Sequence, residues 1–174
     1  MRGERERQYT IIMTTPFTSI EEICDWLNGS VSTVVATMFS SEVLAVPPLD
    51  SHRTKGPLVV GSVGFVGEMS GVVYLSFSTR LAQVLASRML GLTDAELGGD
   101  EIVNDVIAEL SNMVVGGVKS RLCDSGCPCF LTIPSVMRGQ NLEVQTVKPT
   151  ESRLLGFQCG TEHFTVELQI KRSK

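Results

Sequence analysis

EIVNDVIAELSNMVVGGVKSRL, residues 101–122, carries two stripes at once. At 100° per residue Val103, Val106, Ile107, Leu110, Met113, Val114 and Val118 fall on one broad apolar face. Asp100 stands where an N-cap is wanted, directly after Gly98-Gly99, and Lys119 and Arg121 sit near the far end. The spacing predicts a long amphipathic helix. On its opposite side Asp105, Glu109, Asn112, Gly116 and Lys119 follow i, i+4, i+7, i+11, i+14 spacing. Glu109 and Asn112 are three apart, so their side chains project side by side, about 60° apart around the axis.

Gly116 and Gly117 fall one turn further on, where each costs about 1 kcal/mol against alanine. Something should need a bare backbone there. Close approach of a partner is one reason; packing against a neighbouring helix of the same domain is another, and fraying of the helix end is a third. The polar stripe is likewise open to two readings. It is a presented functional face, or it is the solvated side that most surface helices have.

Outward from this helix, 174 residues suit one domain with a sizeable core. Hydrophobic residues make up 43% and charged residues 20%, an ordinary globular balance. A net charge of −4 argues against nucleic acid or an anionic membrane as partner, and no apolar run has the length of a membrane span. Five cysteines, an odd number without a paired framework, fit a reducing cytoplasm. Residues 1–15 have no clear period and are expected to be a disordered arm, leaving 16–174 as the single domain.

From Ser19 a helical pattern is expected in two parts around Asn28-Gly29, with Trp26, Leu27, Val31, Val34, Val35, Met38 and Phe39 as its apolar stripe. Pro47-Pro48 ends it, and residues 49–57 read as an exposed connection. Leu58–Val66 and Gly71–Phe77 read as a hairpin joined at residues 67–70, with glycines at 61, 64, 67 and 71 marking close backbone approach or bulges. Ser78 caps a helix over Thr79–Leu90 that Gly91 closes. After the long helix the period becomes two over Phe130–Met137, Leu142–Lys148, Leu154–Cys159 and Phe164–Lys171. This gives an α+β fold: three principal helices on a sheet of about six mainly antiparallel strands.

Other chemistries find little support. The glycine-rich hairpin lacks the strand–turn–helix context of a phosphate loop. Cys123, Cys127 and Cys129 cluster, but Cys24, Cys159, His52 and His163 offer no matching spacing for a fourth zinc ligand, and no Cys-x-x-Cys redox pair is present. No metal site is expected. With two histidines, each in a loop, a hydrolytic triad is not expected either.

The run Asp105-x-x-x-Glu109-Leu110-x-Asn112-Met113-Val114-x-Gly116-x-x-Lys119 resembles the E-x-x-N signature helix of the CheC/CheX/FliY phosphatases of bacterial chemotaxis. E-x-x-N alone is a weak pattern; the longer form is much more specific, and the order of elements fits from about Trp26 to Lys171. The first helix has no second E-x-x-N pair, so the chain resembles the single-signature CheX type more than the two-signature relatives. The resemblance implies a CheC/CheX-like fold and hydrolysis of the aspartyl phosphate of a CheY-type response regulator. Glu109 and Asn112 would then be catalytic, with Asn112 holding the attacking water and Glu109 pairing with a partner lysine. Asp105, Gly116 and Lys119 would border the contact, although a solvated acid and a helix-dipole cation explain the first and last equally well.

The resemblance further implies a homodimer and a Mg2+ ion carried by the phosphorylated partner, with no cofactor on this chain. Two other readings stay open: a docking module of the same fold that binds a receiver without hydrolysing it, and a structural dimerisation domain.

Overall fold

The computed structural model describes residues 18–48, 56–93, 95–140, 142 and 151–172. The expected N-terminal arm, His52, and all but the first residue of the strand expected over Leu142–Lys148 lie outside the described residues. The chain runs α1 (Ile20–Phe39), β1 (Leu44–Val46), β2 (Pro57–Gly67), β3 (Met69–Ser78), α2 (Thr79–Leu90), α3 (Asp100–Asp124), β4 (Cys129–Leu131), β5 (Ser135–Gln140), β6 (Glu151–Cys159) and β7 (Glu162–Arg172). One seven-stranded sheet has the order β1-β6-β7-β3-β2-β4, with β5 also on β2. Every described pairing is antiparallel. The α+β expectation of three helices on an antiparallel sheet therefore holds, with two strands more among the described residues than the periodicity separates.

One of them, β1, has three residues, too few to display a period. The strand expected over Phe130–Met137 is split into β4 and β5. Thr132 interrupts it by using its side chain in the ladder: its Oγ1 accepts from the Gly64 N–H at 2.9 Å and its own N–H donates to the Gly64 carbonyl at 2.8 Å. Pro134, two residues on, has no N–H with which to resume pairing.

α1 is one continuous helix where a break at Asn28-Gly29 was expected. Gly29 lowers helix propensity by about 1 kcal/mol, but burial of Leu27 and Val31 on either side outweighs that. Its start is fixed by a capping box, with the Glu22 N–H donating to Ser19 Oγ at 3.1 Å and the Ser19 N–H to Glu22 Oε2 at 2.9 Å. α2 begins and ends at the expected Ser78 and Gly91.

On the helix-covered side of the sheet, Val59, Val63 and Phe65 of β2, Val73, Leu75 and Phe77 of β3 and Phe164, Val166 and Leu168 of β7 alternate inward. They meet the apolar faces of all three helices in one core. Phe164 stacks between Phe77 and Phe157, with both centroid separations 5.1 Å. α3 lies over β2 with α1 beside it. It is thus pinned from below and from one side, and its opposite face is left outward.

Candidate functional site on helix α3

α3 seats itself by three contacts that its sequence makes possible. Beneath it, a side chain at Gly61 of β2 would meet Ser111 Oγ and Ile107, so the missing Cβ lets helix and strand close. Ser111 is fully buried and donates its hydroxyl to the Ile107 carbonyl at 2.7 Å. On the α1 side, Ser30 occupies the space that a Cβ on Gly117 would need, and donates its hydroxyl to the Val114 carbonyl at 2.7 Å.

The third contact is with β5. Arg138 Nε donates to Asn104 Oδ1 at 2.6 Å, Nη2 to the Asp100 carbonyl at 3.3 Å, and Nη1 lies 3.0 Å from Asp100 Oδ1. Asp100 is therefore not the N-cap. That position belongs to Gly99, whose φ of +125° suits glycine, and Asp100 is the first helical residue with its carboxylate turned to Arg138. The arginine brace was invisible in the sequence because its partners on α3 lie 34 and 38 residues before it.

The face opposite these contacts carries the predicted stripe. Asp105 and Glu109 are exposed, and Asn112, Gly116 and Lys119 are half-buried. Helical geometry sets the Glu109 and Asn112 Cβ atoms about 5–6 Å apart. Among the described residues neither side chain has a hydrogen-bond or ion-pair partner within the chain. This separates them from Asn104 and Ser111 on the same helix, whose polar atoms serve the fold. A carboxylate and a carboxamide left unengaged and side by side can accept from a cation and hold a water.

The two glycines divide between the two reasons expected for them. Gly117 is required by Ser30, an internal packing demand. A Cβ on Gly116 would meet nothing within 4 Å, so no neighbour inside the chain explains it. Lys119 reaches toward β4, where its charge opposes the burial that raises the Cys129 thiol above its ordinary pKa. No group of three or more His, Cys, Asp or Glu among the described residues is placed to hold a metal. No helix among them is long and apolar enough to cross a membrane.

The site is convex. An open groove between α2 and the β6–β7 hairpin, lined in part by Ser41, Arg80, Arg88, Cys159 and Glu162, contains none of the stripe residues. A reaction carried by side chains on an outward helix needs a substrate that brings its own pocket, which points to a macromolecule.

Comparison with known proteins places the fold. A curated CheY-P phosphatase CheX from Thermotoga maritima is 30% identical over 101 residues, which cover 58% of this chain and 64% of that protein. The crystal structure of chemotaxis protein CheX from Vibrio vulnificus superposes with a TM-score of 0.75 at 25% identity, covering 89% of this chain and 100% of that one. A CheX from Borrelia burgdorferi, crystallised in complex with CheY, BeF3 and Mg2+, has the same fold, with a TM-score of 0.67 at 19% identity, covering 87% of this chain and 98% of that one. The family described as "Chemotaxis phosphatase CheX" matches residues 59–158, more than half of the chain and all of α3, and the protein belongs to that family.

Proposed function

We propose that this chain hydrolyses the aspartyl phosphate of a CheY-like receiver domain by laying α3 against the receiver's phosphorylation site. The observation that carries the reading is the unengaged Glu109–Asn112 pair on the outward face of α3, beside the bare backbone of Gly116. The curated activity of the Thermotoga relative and the receiver, beryllofluoride and Mg2+ in the Borrelia complex support it.

An acyl phosphate is a mixed anhydride whose hydrolysis needs chiefly a water held in line with phosphorus. The Asn112 carboxamide donates through its NH2 and accepts through its oxygen, so it can orient that water while remaining uncharged. Glu109 accepts from a lysine of the receiver and fixes the register of the helix against it. In a partly dehydrated interface such a pair gives specificity as well as attraction. The receiver's own Mg2+ and lysine neutralise the phosphoryl oxygens, so the chemistry asks for no metal on this chain. Gly116 admits the partner backbone, and Asp105 and Lys119 border the contact. The acting unit in this proposal is a homodimer.

The test is the lifetime of acetyl-phosphate-labelled receivers from the same genome, with and without the protein. Shortening for one receiver, abolished by Asn112→Ala, supports the reading. Equal rates for Asn112→Ala and wild type would overturn it.

A further inference from the structure

The outward stripe of α3 has a neighbour that the helix itself does not reveal. The Cys127 N–H donates to the Leu122 carbonyl at 2.8 Å, and Arg138 Nε donates to Asn104 Oδ1 at 2.6 Å. Between these fastenings the chain runs back along α3, from its end toward its start, as β4, a short link and β5. Leu122 to Asn104 is about 27 Å of helix, and residues 127 to 138 reach at most about 40 Å when extended. With so little slack, the link midway stands abreast of the middle of α3.

The sheet gives the same placement independently. Gly61 of β2 lies beneath Ile107 and Ser111. Ser62 pairs with Ser135, and Gly64 is bonded to Thr132. Ile133 and Pro134, between them, are therefore level with Val63, about 7 Å along β2 from Gly61. Four to five residues of helix cover that distance at about 1.5 Å each, which leads from Ile107 and Ser111 to Asn112 and Gly116. Asn112 also lies on the flank nearer the link. Around the helix axis it is about 80° from Asn104, which β5 touches, against about 140° for Glu109.

Ile133 is 89% exposed, more than any other large hydrophobic residue among the described residues. A lone exposed apolar side chain is ordinary on a surface; this one has a rigid mount. Thr132 before it is bonded through both its N–H and its hydroxyl oxygen to Gly64, at 2.8 and 2.9 Å, and Pro134 after it has a fixed φ. Leu131 packs on the core from the helix side of the sheet, so strand alternation carries Ile133 to that side as well.

We propose that Ile133 is an apolar anchor of the docking surface, seated in an apolar recess of the receiver beside its phosphorylated aspartate. This rests on the phosphatase reading of α3. A second copy of the chain seated on Ile133 would cover Asn112 too and leave the receiver no access. A side chain held in place before docking loses little conformational freedom on binding. Its contact is the same before and during reaction, so it acts on KM and leaves kcat alone. That pattern differs from those of Asn112 and Glu109.

The experiment measures steady-state dephosphorylation, and affinity for the beryllofluoride-activated receiver, for wild type, Ile133→Ser, Ile133→Leu and Phe130→Ser. Phe130 is 79% exposed but pairs with Val66, on the helix-free face of the sheet. Ile133→Ser should raise KM and Kd roughly tenfold, with kcat and Tm unchanged. Ile133→Leu should restore most of the affinity, and Phe130→Ser should match wild type.

Wild-type affinity in Ile133→Ser overturns the anchor and leaves the reading of α3 standing. An equal loss in Phe130→Ser overturns it in favour of a diffuse apolar surface. A smaller molar mass for Ile133→Ser by light scattering places the residue between copies and overturns it as well. If wild type binds and dephosphorylates no receiver, the phosphatase reading falls, and the anchor with it.

Discussion

Ser30 of α1 donates its hydroxyl to the Val114 carbonyl of α3 at 2.7 Å, across a gap that exists only because residue 117 has no side chain. The next residue back, Gly116, faces open space. Two adjacent glycines thus answer to different requirements, one set by the fold and one left for a partner.

Substitution should separate them. Gly117→Ala forces its methyl into Ser30 and is expected to lower unfolding free energy by about 1–3 kcal/mol. Gly116→Ala should raise it by up to about 1 kcal/mol, since alanine is the better helix former and nothing is displaced. Urea denaturation measures both. Under the proposed function, Gly116→Ala also raises KM for the phosphorylated receiver.

Glu109 and Asn112 should fail differently. Asn112→Ala is expected to lower kcat roughly 100-fold with receiver affinity little changed, because the water is aligned only during reaction. Glu109→Ala should raise KM and lower kcat together, since register is lost along with the ion pair. Steady-state rates against receiver concentration, with affinity measured on a beryllofluoride-activated receiver, distinguish the two patterns.

Arg138 holds the start of α3 through a fork that lysine cannot reproduce. Asp100 is two-thirds exposed at its side chain (68%), so the ion pair contributes little, and the contact with Asn104 carries most of the effect. Arg138→Ala and Arg138→Lys should each cost about 1 kcal/mol and speed amide exchange in the first turns of α3. Exchange at the far end, around Val118, should stay unchanged.

Alkaline pH should destabilise the fold. Burial is the leading cause that raises the thiols of Cys24 and Cys129 and the Tyr74 hydroxyl above their ordinary values. The folded state therefore holds these protons more tightly than the unfolded chain. The stability this provides is complete below the unfolded values and is lost as pH rises through them, from about pH 8.5 upward for the thiols. The urea midpoint should be lower at about pH 9.5 than at about pH 7.5, and Cys24→Ala should narrow the difference.

Local signals determined the long α3, the β2–β3 hairpin, the alternation of β7, and α2 with its caps at Ser78 and Gly91. Each is written in local spacing, and burial of the resulting stripes decides the register. The polar stripe from Asp105 to Lys119 was legible for the same reason, since helical spacing places those side chains together whatever surrounds them.

Tertiary structure decided what local signals left ambiguous. Gly29 and Asp100 looked like a break and a cap; burial on both sides of one and Arg138 beside the other made them a helix interior and a braced first turn. Phe130–Met137 looked like one strand until Thr132 met Gly64 across the sheet. Sequence could not tell which polar residues of α3 belong to the fold, because the partners of Asn104 and the hydroxyl beside Gly117 arrive from distant elements. Only once those contacts are satisfied do Glu109, Asn112 and Gly116 stand out as the residues that the fold itself does not use.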